Sequence, residues 1–199
     1  MDDGLGRCWW AIGQRPDPLM RDYHDAEWGT PVGGDAELFE RLALEGFQAG
    51  LSWRTILAKR PAFVAAFRGF ELASVAAFDD GDRERLMADA GIVRNHQKID
   101  ATIGNAAAAL RLVAEHGSLA AYFDAQVPPP PRRLPLGTEA GQIPATTPAS
   151  DRLSKDLARR GFRFVGSTIV YSFMQSVGLV DDHLPGCFRY AGSDLASRA

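Results

Sequence analysis

The chain lacks any long apolar run. Nothing in its 199 residues approaches the roughly eighteen uninterrupted apolar positions of a membrane span, so none is expected. No leader is expected either: MDDGLGRCWW is acidic where a signal peptide is basic and then apolar, which makes a cytoplasmic protein the expectation. Cysteine is nearly absent, and two residues, Cys8 and Cys187, cannot build a disulfide framework. Positive charge is not in excess. With 22 Lys and Arg against 25 Asp and Glu, the net charge is −3. That excludes a protein that coats nucleic acid by wholesale phosphate neutralisation, although a local basic face remains open. Apolar and polar residues nowhere alternate over a strand length, so a sheet is not expected.

What is present is helical. Hydrophobic residues make up 46% and charged residues 24%, enough for a real core in a soluble domain. Asp17-Pro18 opens a short helix that ends at Gly29. Asp35 can cap a helix carrying Glu37 and Glu40 in its first turn. Ser52 can cap a second segment over 53–60, and Pro61 suits the first position of another over 62–68. Further helices are expected over 72–78 and 82–90, from Asn95 to about His116, and over 119–126. Two more run from Ser150 or Asp151 to Arg160 and from 169 to 177. The stretch 127–148, with its proline run at 128–131, reads as an irregular connector. About ten short helices and no sheet give an all-α fold.

Residues 37–60 carry a carboxylate where an apolar side chain belongs. At about 100° per residue, Leu38, Leu42, Glu45, Ala49, Trp53 and Ile56 share one stripe. An ionised Glu45 on that stripe is costly unless paired, hydrogen-bonded or put to work. A local arginine, or a helix break at Gly46 or Gly50, would account for it without any function.

Each cysteine has a histidine companion: Cys8 with His24, and His183 with Cys187. This Cys2His2 set has the composition of a closed tetrahedral zinc site, and H-x-x-x-C suits two ligands on one turn. Two buried thiols and two satisfied histidines are the alternative. Four protein ligands would leave no open position, so such a zinc is structural, and a zinc hydrolase is disfavoured. All four tryptophans fall in the first 53 residues. With Tyr23 they can wall a pocket for a planar cation, or simply pack a core. Residues 83–103 form two helices joined at Gly91, with Arg94, His96 and Lys98 just beyond. Such a hairpin can offer backbone N–H groups to a phosphate, or be an ordinary corner. Arg152, Lys155, Arg159, Arg160 and Arg163 add a second basic stretch, equally readable as a solvated face.

These motifs together are similar to those of the bacterial DNA-3-methyladenine glycosylase I family, within the helix-hairpin-helix glycosylases. The resemblance rests on RCWW at 7–10, DPLMRDYHDAEWG at 17–29, LFERLALEGFQAGLSW at 38–53 and AGIVRNHQKI at 90–99. It continues through 150–183 to HLPGC at 183–187. It implies an all-α hairpin domain over 30–165, with 1–29 and 166–199 joined by a structural zinc on Cys8, His24, His183 and Cys187. It assigns a catalytic role to Glu45 and base binding to Tyr23, Trp53 and Trp10. It assigns DNA contact to the hairpin turn with Gly91, Arg94 and Lys98. Met20 stands where the family often has a second tyrosine, and the stretch between Cys8 and Asp17 is longer than usual.

The implied partner is double-stranded DNA containing alkylated bases, and the implied state is a monomer. The implied chemistry is flipping and hydrolytic release of 3-methyladenine without strand cleavage, since no lysine is placed for a Schiff base. No Asp stands some twenty residues past the hairpin, and Glu115 follows a helix that points it elsewhere. A zinc-stapled binder of damaged DNA with no catalytic activity is the competing expectation.

Overall fold

The computed structural model describes residues 4–13, 17–129 and 131–190. Among them are ten α-helices: α1 (Trp9–Ile12), α2 (Pro18–Ala26), α3 (Asp35–Gln48), α4 (Trp53–Ala66), α5 (Leu72–Ala76), α6 (Asp80–Ala88), α7 (His96–His116), α8 (Leu119–Gln126), α9 (Pro148–Arg159) and α10 (Ser167–Ser176). The fold is all-α. Two-residue pairing of Arg132–Arg133 with Val180–Asp181 is the whole of its β-structure among the described residues.

The centre is α3. Every residue from Leu38 to Phe47 is buried, including Glu40, Arg41 and Glu45. Such a helix must be surrounded, and α4, α7, α8 and α10 pack around it. Phe39, Phe47, Phe63, Phe67 and Phe70 make one contiguous aromatic core on one side. Two of the charged residues are explained by a network behind the helix. Arg41 Nη2 donates to Glu27 at 2.7 Å and Glu37 at 3.4 Å, while Arg60 bridges Glu27 and Glu40 at 2.5 Å each.

The α3 stripe does not continue into α4. The helix stops at Gln48, Gly50 turns the chain at φ 82°, and the Ser52 side chain accepts from the Thr55 N–H to start α4. Glu45 and Trp53 therefore meet through a turn and not through helical phase. Three local expectations are corrected. Pro61 lies inside α4 and starts no new helix: the helix begun at Trp53 runs through it to Ala66, at the loss of the hydrogen bond its missing N–H would have made. Gly34, not Asp35, precedes α3, and Asp35 Oδ1 accepts instead from the Leu119 N–H at 2.8 Å. Thr147 caps α9, with Pro148 at the first position and Ser150 completing the reciprocal bond.

Candidate active site and metal centre

Three parts of the chain wall one cavity of about 320 Å³. The N-terminal segment and α2 give Trp9, Trp10, Met20, Tyr23 and Trp28. The α3–α4 turn gives Glu45, Gln48 and Trp53, and α10 gives Ser172 and Gln175. Ala140 and Ile143 of the proline-rich connector complete the rim. The four residues expected at a base pocket, Glu45, Tyr23, Trp53 and Trp10, thus share one cavity. Gln48, Ser172, Gln175 and Ile143 were not foreseen. Their sequence neighbourhoods show ordinary helix or loop patterning, and only the tertiary fold brings them here.

The aromatic rings are arranged as adjoining walls. Tyr23 and Trp53 lie 5.4 Å apart with planes 49° from parallel. A base sandwiched between two rings needs them roughly 7 Å apart and parallel. These two therefore line a corner and do not form a parallel sandwich. Trp10 packs edge-on against Trp28 at 5.0 Å and His24 at 5.3 Å, which fixes it between the cavity and the terminal cluster. Trp9 is 59% exposed at the rim.

Glu45 is 5% exposed and takes no ion-pair partner among the described residues. Burial pushes its carboxyl up to about 8, while the nearby Arg41 guanidinium pulls it partly back. Burial, reinforced by the negative charge of Glu45, likewise raises the Tyr23 phenol. Trp53 Nε1 is buried with no acceptor among the described residues. The cavity offers flat apolar faces, one acid and a few unspent polar groups, which suits a planar cation.

Beside it, Cys8, His24, His183 and Cys187 converge, all buried, with donor atoms within 4.8 Å of one another. Sγ of Cys187 lies 3.4 Å from His24 Nε2 and 3.6 Å from His183 Nδ1, and Cys8 Sγ lies 3.7 Å from His183 Nδ1. In a tetrahedral S2N2 metal site with ordinary bond lengths, neighbouring donors sit about 3.3–3.8 Å apart. The residues fit a metal. The surroundings fit too: His24 Nδ1 bonds Asp25 at 2.7 Å, which points Nε2 inward, and Arg7 holds Asp25. Backbone N–H groups of Leu184 and Arg189 donate to the two sulfurs at 3.4 Å. Hydrogen bonds from Cys8 and the two histidines drive the Cys187 thiol down toward thiolate.

At the hairpin, α6 and α7 flank the turn, and Asn95 caps α7 by accepting from the Lys98 N–H at 3.1 Å. The turn is locked from behind. Gly91 donates to Asp89 Oδ1 at 2.7 Å, and Lys59 Nζ bonds the carbonyls of Ala90 and Gly91. A Cβ at Gly91 would meet the Ala62 side chain at 2.9 Å, so glycine is required by the approach to α4. Arg94 is exposed beside the helix start. Lys98 does not reach outward as expected. It is 8% exposed, and its ammonium caps α3 through the carbonyls of Phe47 at 2.8 Å and Ala49 at 2.6 Å. Glu115 is turned away from the cavity and pairs with Arg160 at 2.7 Å. The extra length after Cys8 falls partly at 14–16, outside the described residues.

A profile of the methyladenine glycosylase family matches residues 10–190. The chain is 47% identical to DNA-3-methyladenine glycosylase 1 of Escherichia coli K12 over 189 residues, covering 95% of this chain and 99% of that protein. It is 39% identical to the DNA-3-methyladenine glycosylase of Haemophilus influenzae over 183 residues, covering 91% and 96%. A solved structure of 3-methyladenine DNA glycosylase I from Staphylococcus aureus, described for its recognition of 3-methyladenine, superposes with a TM-score of 0.86 at 36% identity, covering 92% of this chain and 96% of that one. With that match over nearly its whole length, the chain belongs to the methyladenine glycosylase family.

Proposed function

We propose that the chain is a DNA repair glycosylase that flips an alkylated nucleotide from double-stranded DNA and hydrolyses the glycosidic bond of 3-methyladenine. The observation that carries this reading is Glu45, a buried acid with no ion-pair partner among the described residues, set in an aromatic-walled cavity. N3-methylation makes adenine cationic in the nucleotide and weakens its bond to the sugar, so no group need protonate the leaving base. The enzyme must extrude the nucleotide, seat the cation and let the bond break. Tyr23 and Trp53 take the two sides of the corner, and Trp10 closes it. Glu45 accepts from the exocyclic amine. The C1′–N9 electron pair stays with the base, which leaves neutral; water adds to C1′ and gives its proton to solvent. No lysine lines the cavity among the described residues, which supports base release without strand cleavage.

The hairpin contacts the DNA backbone through Arg94 and the start of α7, while Gly91 and Lys98 hold the turn and the end of α3 in place. The metal is zinc, held by Cys8, His24, His183 and Cys187, and its role is structural. It ties the described parts of 1–29 and 166–199 into a terminal unit beside the described helical body within 30–165. The enzyme acts as a cytoplasmic monomer, and no helix among the described residues is long and apolar enough to cross a membrane.

A single-turnover assay of base release from alkylated DNA tests the reading. Release of 3-methyladenine with intact strands supports it; tight DNA binding without release leaves a non-catalytic binder of damaged DNA.

A further inference from the structure

Gln175 lies on α10 and lines the base cavity, one turn beyond Ser172. Its amide has a fixed orientation. Nε2 donates to Asp182 Oδ2 at 2.8 Å, and Asp182 is 1% exposed. The same carboxylate accepts from the Tyr171 hydroxyl and from Arg132 Nη2, the latter at 3.0 Å. A carboxylate bound by a guanidinium and a phenol is an acceptor only, so the NH2 end of Gln175 must face it. The carbonyl Oε1 is then turned away from Asp182, and no donor among the described residues reaches it.

We propose that Gln175 is the residue that reads the purine 6-position: its Oε1 accepts one hydrogen of the exocyclic amine of 3-methyladenine while Glu45 accepts the other. This rests on the glycosylase reading and adds its specificity. A 6-oxo purine, such as 3-methylguanine, puts a carbonyl against the amide carbonyl, two acceptors with no proton between them. Glu45 alone cannot impose that choice, because a carboxyl pushed up to about 8 can donate to a 6-oxo group as readily as it accepts from an amine. Gln175 has no such freedom at Oε1, since the bond from Nε2 to Asp182 fixes the amide orientation and a carbonyl oxygen carries no proton to donate. Mismatched polar groups in a desolvated pocket discriminate more strongly than a missing methylene does.

The test compares wild type with Gln175→Met, similar in length but without the amide, in single-turnover release of 3-methyladenine and 3-methylguanine from alkylated DNA. The expected result is about a tenfold loss of kcat/KM on 3-methyladenine, with 3-methylguanine release unchanged or raised, so that the ratio falls at least about tenfold. An unchanged ratio in a folded variant overturns the proposal. Binding of free 3-methyladenine and free 3-methylhypoxanthine to wild type, read by tryptophan fluorescence, decides the same point should the variant fail to fold. At least about tenfold weaker binding of the 6-oxo base supports it, and equal binding contradicts it. Wild type that releases no base from DNA would remove the glycosylase reading, and the free-base pair would still decide what Gln175 reads.

Discussion

Burial pushes the Glu45 carboxyl up to about 8 because aromatic rings have replaced the water around it. Its usual value is near 4.5. Between these two values the folded chain holds a proton that the unfolded chain has released. Stability is therefore fullest below about pH 4.5 and falls as pH rises through about 8. Glu45→Gln removes this dependence. Urea denaturation should find the variant equal to wild type near pH 4.5 and more stable by about 4 kcal/mol above pH 8. Parallel curves across that range would contradict the burial argument. In catalysis the sign reverses. The ionised form seats a cationic base, so kcat/KM on 3-methyladenine DNA should climb with pH to a plateau above about 8 and be low and flat in Glu45→Gln. The awkward acid was legible from its place on an apolar stripe. Its cavity neighbours Gln175 and Ser172 were not, because they come from α10, more than a hundred residues away, where each looks like a normal helix position.

At the scale of elements, the break between α3 and α4 sets the pocket, and Lys98 of α7 secures it. Replacing this lysine by methionine leaves two carbonyls at the end of α3 without a donor. A loss of about 1–3 kcal/mol in stability is expected, with weaker base excision and an unchanged salt dependence of DNA binding. Arg94→Ala should behave in the opposite way: stability within about 0.5 kcal/mol of wild type, and a salt slope of DNA binding reduced by about 1. If Lys98→Met and not Arg94→Ala flattens the salt slope, the two assignments are reversed. Helices were readable wherever a strong cap preceded an apolar period, as at Asn95 and Ser52. Pro61 misled because a proline tolerated mid-helix looks in sequence like one that begins a helix. Lys98 misled because its position in the hairpin motif gives no sign that its long side chain folds back onto α3.

Across the whole molecule, the cluster of Cys8, His24, His183 and Cys187 sets residue 8 against residue 187 and places the terminal aromatics beside the pocket. Cys187→Ser should lower zinc content and lower Tm by on the order of 10 °C. Full zinc stoichiometry in that variant would remove Cys187 from the ligand set. Chelation should reduce stability, while activity persists at temperatures where the fold survives. The pairing of two scarce cysteines with two histidines was visible in the sequence, but the 16-residue gap between Cys8 and His24 gave no geometry. That came from the fold, which sets α2 against the 183–187 turn. The all-α architecture followed from helical periodicity and from the missing strand alternation. The connector at 127–148 was read as irregular and not a strand; among its described residues Arg132–Arg133 pair with Val180–Asp181 and Ala140–Gln142 form a 3-10 turn, and its contribution of Ile143 to the cavity rim depends on a path that composition does not encode.

We propose that a buried carboxylate in an aromatic cavity recognises a base that is cationic in the nucleotide and promotes its release as the neutral base. This is tested most directly by quantifying 3-methyladenine released from alkylated double-stranded DNA by wild type and by folded Glu45→Gln under single-turnover conditions. Rapid release by wild type and a loss of at least about a hundredfold in the variant are expected, the scale seen when a charge-bearing contact is removed from the reacting complex. Equal release by the two proteins would contradict it.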